Sequence, residues 1–176
     1  MSATSESSNA VAGPVPVKVY RLLATIWCGS QWTIGYLVAP TLFALLENRR
    51  TAGSLAASLF RSEAILGIVC GVLLLLLGNA LSRAPGGAAV YRPLRWIVAG
   101  MMVCVLFGYF ALAPWMDQLR TSAAVAGVDI EHSAYAARFG LLHGVSTGFY
   151  VLQSLLGLAL IWRLPAAGAT RRIDGA

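Results

Sequence analysis

Residues 59–81 hold the run LGIVCGVLLLLLG, apolar on every side of a helix and long enough to cross a bilayer. In hydrocarbon a backbone must satisfy its own hydrogen bonds, so such a run reads as a transmembrane helix, and nothing in the chain shows the short alternating strands of a barrel. Three more stretches are long enough to cross: 17–46, 94–113 and 139–161. The composition agrees, with 58% hydrophobic and 11% charged residues and a mean hydropathy of +0.72, whereas soluble chains are roughly 25% charged. A soluble enzyme or regulator is excluded. The expectation is an all-α integral membrane protein, a compact bundle of four transmembrane helices.

Around these spans, residues 1–16 are small and polar without the basic and apolar regions of a signal peptide, so a solvated, disordered tail is expected there and a cytoplasmic tail at 164–176. The first stretch would be about 45 Å long as a helix, more than a hydrocarbon core of about 30 Å, so it must tilt, project or bend at Pro40. Pro93 and Pro114 are natural boundaries for the third. The long loop 114–138 predicts helical continuation at both ends, an apolar edge from Trp115, Met116 and Leu119, and a flexible middle around Gly127.

The net charge of +6 and pI near 9.7 invite a nucleic-acid reading, but the basic residues lie in the gaps between apolar runs. They orient the chain instead. The N-terminal tail, second loop and C-terminal tail hold Lys18, Arg21, Arg83, Arg92, Arg95, Arg163, Arg171 and Arg172, against Arg49, Arg50, Arg61, Arg120 and Arg138 in the other loops. Both termini should therefore be cytoplasmic. The Arg, Ala and Gly excess suggests a bacterial protein of the inner membrane.

Small residues recur at helical spacing: Gly67 and Gly71; Gly100, Cys104 and Gly108; Gly140, Gly144 and Gly148. In lipid, where helices gain nothing from hiding apolar surface, such stripes let backbones approach closely, so all are expected at helix contacts. In the first span the matching face is Ala24, Cys28, Gln31 and Gly35, which would bury an amide in the bundle. Cys28, Cys70 and Cys104 lie at a similar depth, where thiolates suit a soft metal such as Cu(I). Without a fixed spacing or a CxxC they read first as small apolar residues, and no metal or cofactor is assigned.

Ionisable groups inside spans are costly and usually face a bundle interior or a wet cavity. Thr41, Glu63, Tyr109, His143 and Ser146 stand near the outer ends of the four spans and form a candidate outward-facing polar pocket. The plainer alternative is that Glu63 snorkels to water and His143 bonds a neighbouring helix. Thr147, Tyr150, Gln153 and Ser154 continue a polar seam that reads as interhelical glue. No phosphate loop, GxGxxG, GxSxG or HExxH occurs, so no catalytic residues are expected.

The segments WCGSQWTIGYLVAPTLFALL, AGSLAASLFRSEAILG, APWMDQLR and RFGLLHGVSTGFYVLQSLLGL resemble bacterial members of the domain-of-unknown-function 4149 family, DUF4149, whose animal relative is transmembrane protein 205. The landmarks are Pro40, Phe60, Leu119, Arg120, Phe139, His143 and Ser146. The resemblance implies a small multi-pass helical protein and brings no catalytic residues. Two function classes follow. The first is binding or translocation of a small solute or ion through the polar pocket. The second is a structural or assembly subunit that docks another membrane protein. Expected partners are membrane lipid and a second copy or a membrane-protein partner, with no nucleic acid.

Overall fold

The computed structural model describes residues 14–165, and every element among them is helical. Of the expected tails, residues 14–16 belong to the first helix, and 1–13 and 166–176 lie outside the described residues. The first rod is α1 (Pro14–Trp32), a π-helical stretch (Thr33–Val38) and α2 (Ala39–Leu45). The second is α3 (Arg49–Ser82), whose first turn is capped where the Asn48 side chain accepts a hydrogen bond from the Thr51 N–H at 3.1 Å. The third is α4 (Gly87–Phe107), a second π-helical stretch (Gly108–Leu112) and α5 (Ala113–Val125); the fourth is α6 (Ala136–Arg163). α1 packs on α3 and α6, and α4 packs on the same two, which closes a four-cornered bundle.

Neither Pro93 nor Pro114 ends a helix, and this corrects the expected boundaries. Gly86, in the left-handed region at φ 73°, turns the chain into α4 well before Pro93, which lies inside that helix. Pro114 follows the second π stretch as Pro40 follows the first. A proline cannot donate to the carbonyl four residues back, and its ring crowds that carbonyl. In both rods the residue just before the proline reaches five residues back instead: Ala39 N–H to the Ile34 carbonyl, and Ala113 N–H to the Gly108 carbonyl. The wider turn accommodates the ring, and the rod continues. The helical continuation expected at both ends of 114–138 is present as α5 and the start of α6, and between them the chain turns around Gly127 (φ 73°) and a 3-10 turn at Ile130–His132.

Three helices are long and apolar enough to span a membrane: α3, the third rod over Gly87–Val125, and α6. The first rod is less apolar because Ser30 and Gln31 occupy its middle and Lys18 and Arg21 its start. At 34 and 39 residues, α3 and the third rod would measure about 51 and 58 Å, well beyond a hydrocarbon core of about 30 Å. Their surplus turns, Arg49–Ser58 and α5, lie at the same end of the bundle. There Arg61 pairs with Asp117 at 3.0 Å, Arg50 with Asp129 at 2.8 Å and Arg49 with Glu131 at 3.4 Å.

The core is built on Trp27, Leu74, Leu94, Val98, Met101 and Leu160, all fully buried. Gly67 and Gly71 admit the Trp27 indole and the Met102 thioether, Gly100 meets Leu156, and Gly157 meets the Cys28 sulfur. The stripe of Gly140, Gly144 and Gly148 behaves differently: a Cβ on any of them, or on Gly108, would meet nothing within 4 Å. The expectation that these four pack against a neighbouring helix of the chain is therefore wrong. The buried face of α6 runs through Gln153, Ser154, Gly157 and Leu160, and five residues at about 100° each place Gly148 roughly 140° around the helix from Gln153.

This contrast is testable. Gly67→Ala drives a methyl group into a fully buried indole and should cost about 1–3 kcal/mol. Gly144→Ala should be neutral or slightly stabilising, because it replaces glycine in an open helix position. Thermal melts followed by circular dichroism in detergent measure both, and equal midpoints would contradict the packing.

Candidate functional site: a buried polar seam

An amide placed in an apolar interior costs free energy unless it is hydrogen-bonded. On α1, Ala24, Cys28 and Gln31 form the inward face as the spacing predicts, with Gln31 fully buried. Its partners come from α6. The Gln31 Nε2 donates to Ser154 Oγ at 3.1 Å, and the Gln153 Nε2 donates to Gln31 Oε1 at 3.3 Å. The Tyr150 hydroxyl donates to the Gln31 backbone carbonyl and lies in the space that Gly35 leaves open. The Cys28 thiol donates weakly to the Gly157 carbonyl at 3.7 Å. The seam thus spans from Tyr150 to Gly157 on one helix face, and Gln153 and Ser154 are themselves buried.

Glu63 joins this seam from α3. It is 5% exposed, and its Oε1 has no hydrogen-bond partner. One turn before it, Phe60 meets Tyr150 edge-on with centroids 5.5 Å apart. One turn after it, Gly67 receives the Trp27 indole, whose Nε1 is also buried without an acceptor. The bundle therefore holds an unpaired carboxyl oxygen between the two turns that contact Tyr150 and Trp27. A carboxylate there needs a counter-charge, and no basic side chain pairs with it among the described residues.

The other members of the expected pocket do not gather around Glu63. Thr41 is exposed, with its hydroxyl turned back to the Leu37 carbonyl at 2.7 Å. Tyr109 is half-buried in the second π stretch, edge-on to Phe110. His143 is exposed, its ring parallel to Phe139 at 6.1 Å, and Ser146 is half-buried. His143 lies on the same face as Tyr150 two turns earlier in α6, where the helix extends past the closed part of the seam. The outward pocket of Thr41, Glu63, Tyr109, His143 and Ser146 is thus replaced by an interior seam containing Glu63 alone of the five.

Beyond the seam, Asp117 lies between Arg61 at 3.0 Å and Arg120 at 3.5 Å, and the Arg120 guanidinium sits 5.0 Å above the Phe139 ring. An open depression of about 600 Å³ is lined by Pro114, Asp117, Gln118, Thr121 and Ser122. Cys28, Cys70 and Cys104 are free and buried. Among the described residues no three His, Cys, Asp or Glu side chains are grouped to hold a metal ion.

The seam's energetics have an asymmetry that mutation can expose. Gln31→Leu strands the amide of Gln153 and the hydroxyl of Ser154 in the interior, at roughly 1–3 kcal/mol. Removing all three polar groups with Gln31→Leu, Gln153→Leu and Ser154→Ala should recover much of that loss, because no buried group is then orphaned. Unfolding titrations in mixed detergent would show it; a triple variant weaker than the single one by the sum of three losses would refute the network.

A family model described as a domain of unknown function, DUF4149, matches residues 22–124. The matched stretch carries Gln31 and Glu63 and ends before α6 supplies the rest of the seam. No curated protein and no solved structure matches the chain.

Proposed function

The chain belongs to the DUF4149 family, and from that premise we propose that its membrane bundle binds a proton or a small cation at Glu63. The observation that carries this reading is the buried carboxyl oxygen without a protein partner, since an intramembrane ionisable group is retained at a cost that function must justify. Tyr150, Gln31 and the Trp27 indole are the polar groups that would adjust as the charge on Glu63 changes. We assign no chemical reaction and no cofactor.

The same reading makes the first rod the fourth span. Its one amide, Gln31, turns inward, while Leu22, Ile26, Tyr36 and Leu37 face outward, as a lipid-facing surface requires. With the basic residues at the rod start, the second loop and the end of α6, the termini would be cytoplasmic in a bacterial inner membrane. An impermeant maleimide should then label Ser122→Cys from outside and leave Ser82→Cys untouched. The opposite labelling would invert the orientation.

Flux tests the function itself. In liposomes with a trapped pH-sensitive dye, the wild-type protein should dissipate an imposed proton or monovalent-cation gradient faster than empty vesicles. Glu63→Gln should fall to the empty-vesicle rate and Glu63→Asp should retain part of the activity. Equal rates for wild type and Glu63→Gln would overturn the reading. A second reading, a subunit that assembles with another copy or another membrane protein, is favoured by the uncovered Gly140, Gly144 and Gly148 face. Cross-linking in native membranes through Gly144→Cys would support it.

A further inference from the structure

The two ends of the bundle differ in charge pairing. At the end where α3 starts and α5 finishes, four of the five arginines, Arg49, Arg50, Arg61 and Arg120, are paired with Glu131, Asp129 or Asp117, and Arg138 is not. At the opposite end stand Lys18, Arg21, Arg83, Arg92, Arg95 and Arg163, and no Asp or Glu accompanies them among the described residues. None of the six takes part in an ion pair among the described residues. Like charges gathered on one end repel one another, and an anion from outside the chain relieves that repulsion.

Two of the six are held rather than free. Arg21 on α1 and Arg95 on α4 are both half-buried, and they flank a tyrosine pair at the corner where α1, α3 and α4 meet. Tyr20 and Tyr91 meet edge-on with centroids 5.5 Å apart. Gly78 of α3 makes room: a Cβ there would lie 3.0 Å from Arg95 Cγ and 3.4 Å from the Tyr20 ring, so the arginine stem runs flat against α3 beside that ring. Arg21 directly follows Tyr20 on α1. The Tyr20 side chain is 1% exposed, and its hydroxyl has no hydrogen-bond partner. Two half-buried arginines, one with its stem held against α3, and an unsatisfied phenol donor thus share one corner.

We infer that this corner seats the phosphate of an anionic phospholipid. Guanidinium groups pair with phosphate oxygens in a planar, two-pronged geometry that suits Arg21 and Arg95. A lipid is favoured over free phosphate because an exposed apolar side chain directly follows each arginine, Leu22 after Arg21 on α1 and Trp96 after Arg95 on α4, and offers a surface for acyl chains. Trp96 and Trp162 are 76% and 85% exposed at the same end, the placement of indoles at a headgroup layer. The inference holds for either orientation of the chain and does not depend on Glu63.

Native mass spectrometry and thermal unfolding of the full-length protein in neutral detergent test it. Added phosphatidylglycerol should remain bound and raise the unfolding midpoint by several degrees, and phosphatidylcholine should do neither. Arg21→Gln with Arg95→Gln should lose most of that increment, whereas Arg49→Gln with Arg50→Gln should keep it. Arg21→Lys with Arg95→Lys keeps the charge and the fold but loses the two-pronged fit, so lipid retention should fall by about threefold or more. Millimolar inorganic phosphate should give no shift. Equal stabilisation by the two lipids, an unchanged increment in either Arg21/Arg95 variant, or a full shift from inorganic phosphate alone would each overturn the seat.

Discussion

A fully buried glutamine amide in a bundle meant for lipid leaves few arrangements open, and the rest of this structure follows from how Gln31 is satisfied. Its side chain has two donors and an acceptor to place, and α1 offers none of the partners. α6 must turn Gln153 and Ser154 toward it, and that choice sets which face of α6 is inside. Tyr150 then falls against Gly35 and the Gln31 carbonyl. The glycine stripe of α6 is thereby carried out of the bundle. The same contact brings Phe60, and with it the Glu63 turn of α3, to the edge of the seam.

Proline placement reinforces this geometry. The π stretch over Thr33–Val38 begins just after Gln31 and contains Gly35, so the wide turn that accommodates Pro40 adjoins the site where the tyrosine enters. π-helical turns inside α-helices often mark functional positions. Here the turn leaves the backbone open where α1 meets α6. The second π stretch, before Pro114, has no such side chain inserted and serves to carry the third rod on into α5, which holds the Asp117 link to α3 and Arg120.

Much of the architecture was legible in the sequence. The inward face Ala24, Cys28, Gln31 follows from helical spacing, as do the contacts at Gly67, Gly71 and Gly100. Gly140, Gly144 and Gly148 have the same spacing yet face outward, because spacing gives a stripe and not the rotation of its helix about the bundle axis. That rotation is set by the pairing of Gln153 and Ser154 with an amide more than a hundred residues away. Pro114 is no boundary because a π turn before it accommodates the ring, and Pro93 is none because α4 already begins at Gly87. Glu63 and His143 looked equivalent by distance from the span ends. They differ because α1 and α6 close over Glu63, while His143 lies two turns past Tyr150, where the seam has ended.

The Glu63 side chain is buried in the bundle, and its Oε1 has no protein partner to balance it. Infrared difference spectroscopy of the reconstituted protein reads that environment directly. The predicted result is a carbonyl stretch at the high-frequency end of the carboxylic acid range, absent in Glu63→Gln, that converts to carboxylate bands as the pH or the monovalent-cation concentration is raised. A Glu63 that contributes only the carboxylate bands of a water-exposed group, unaltered by either change, would contradict it.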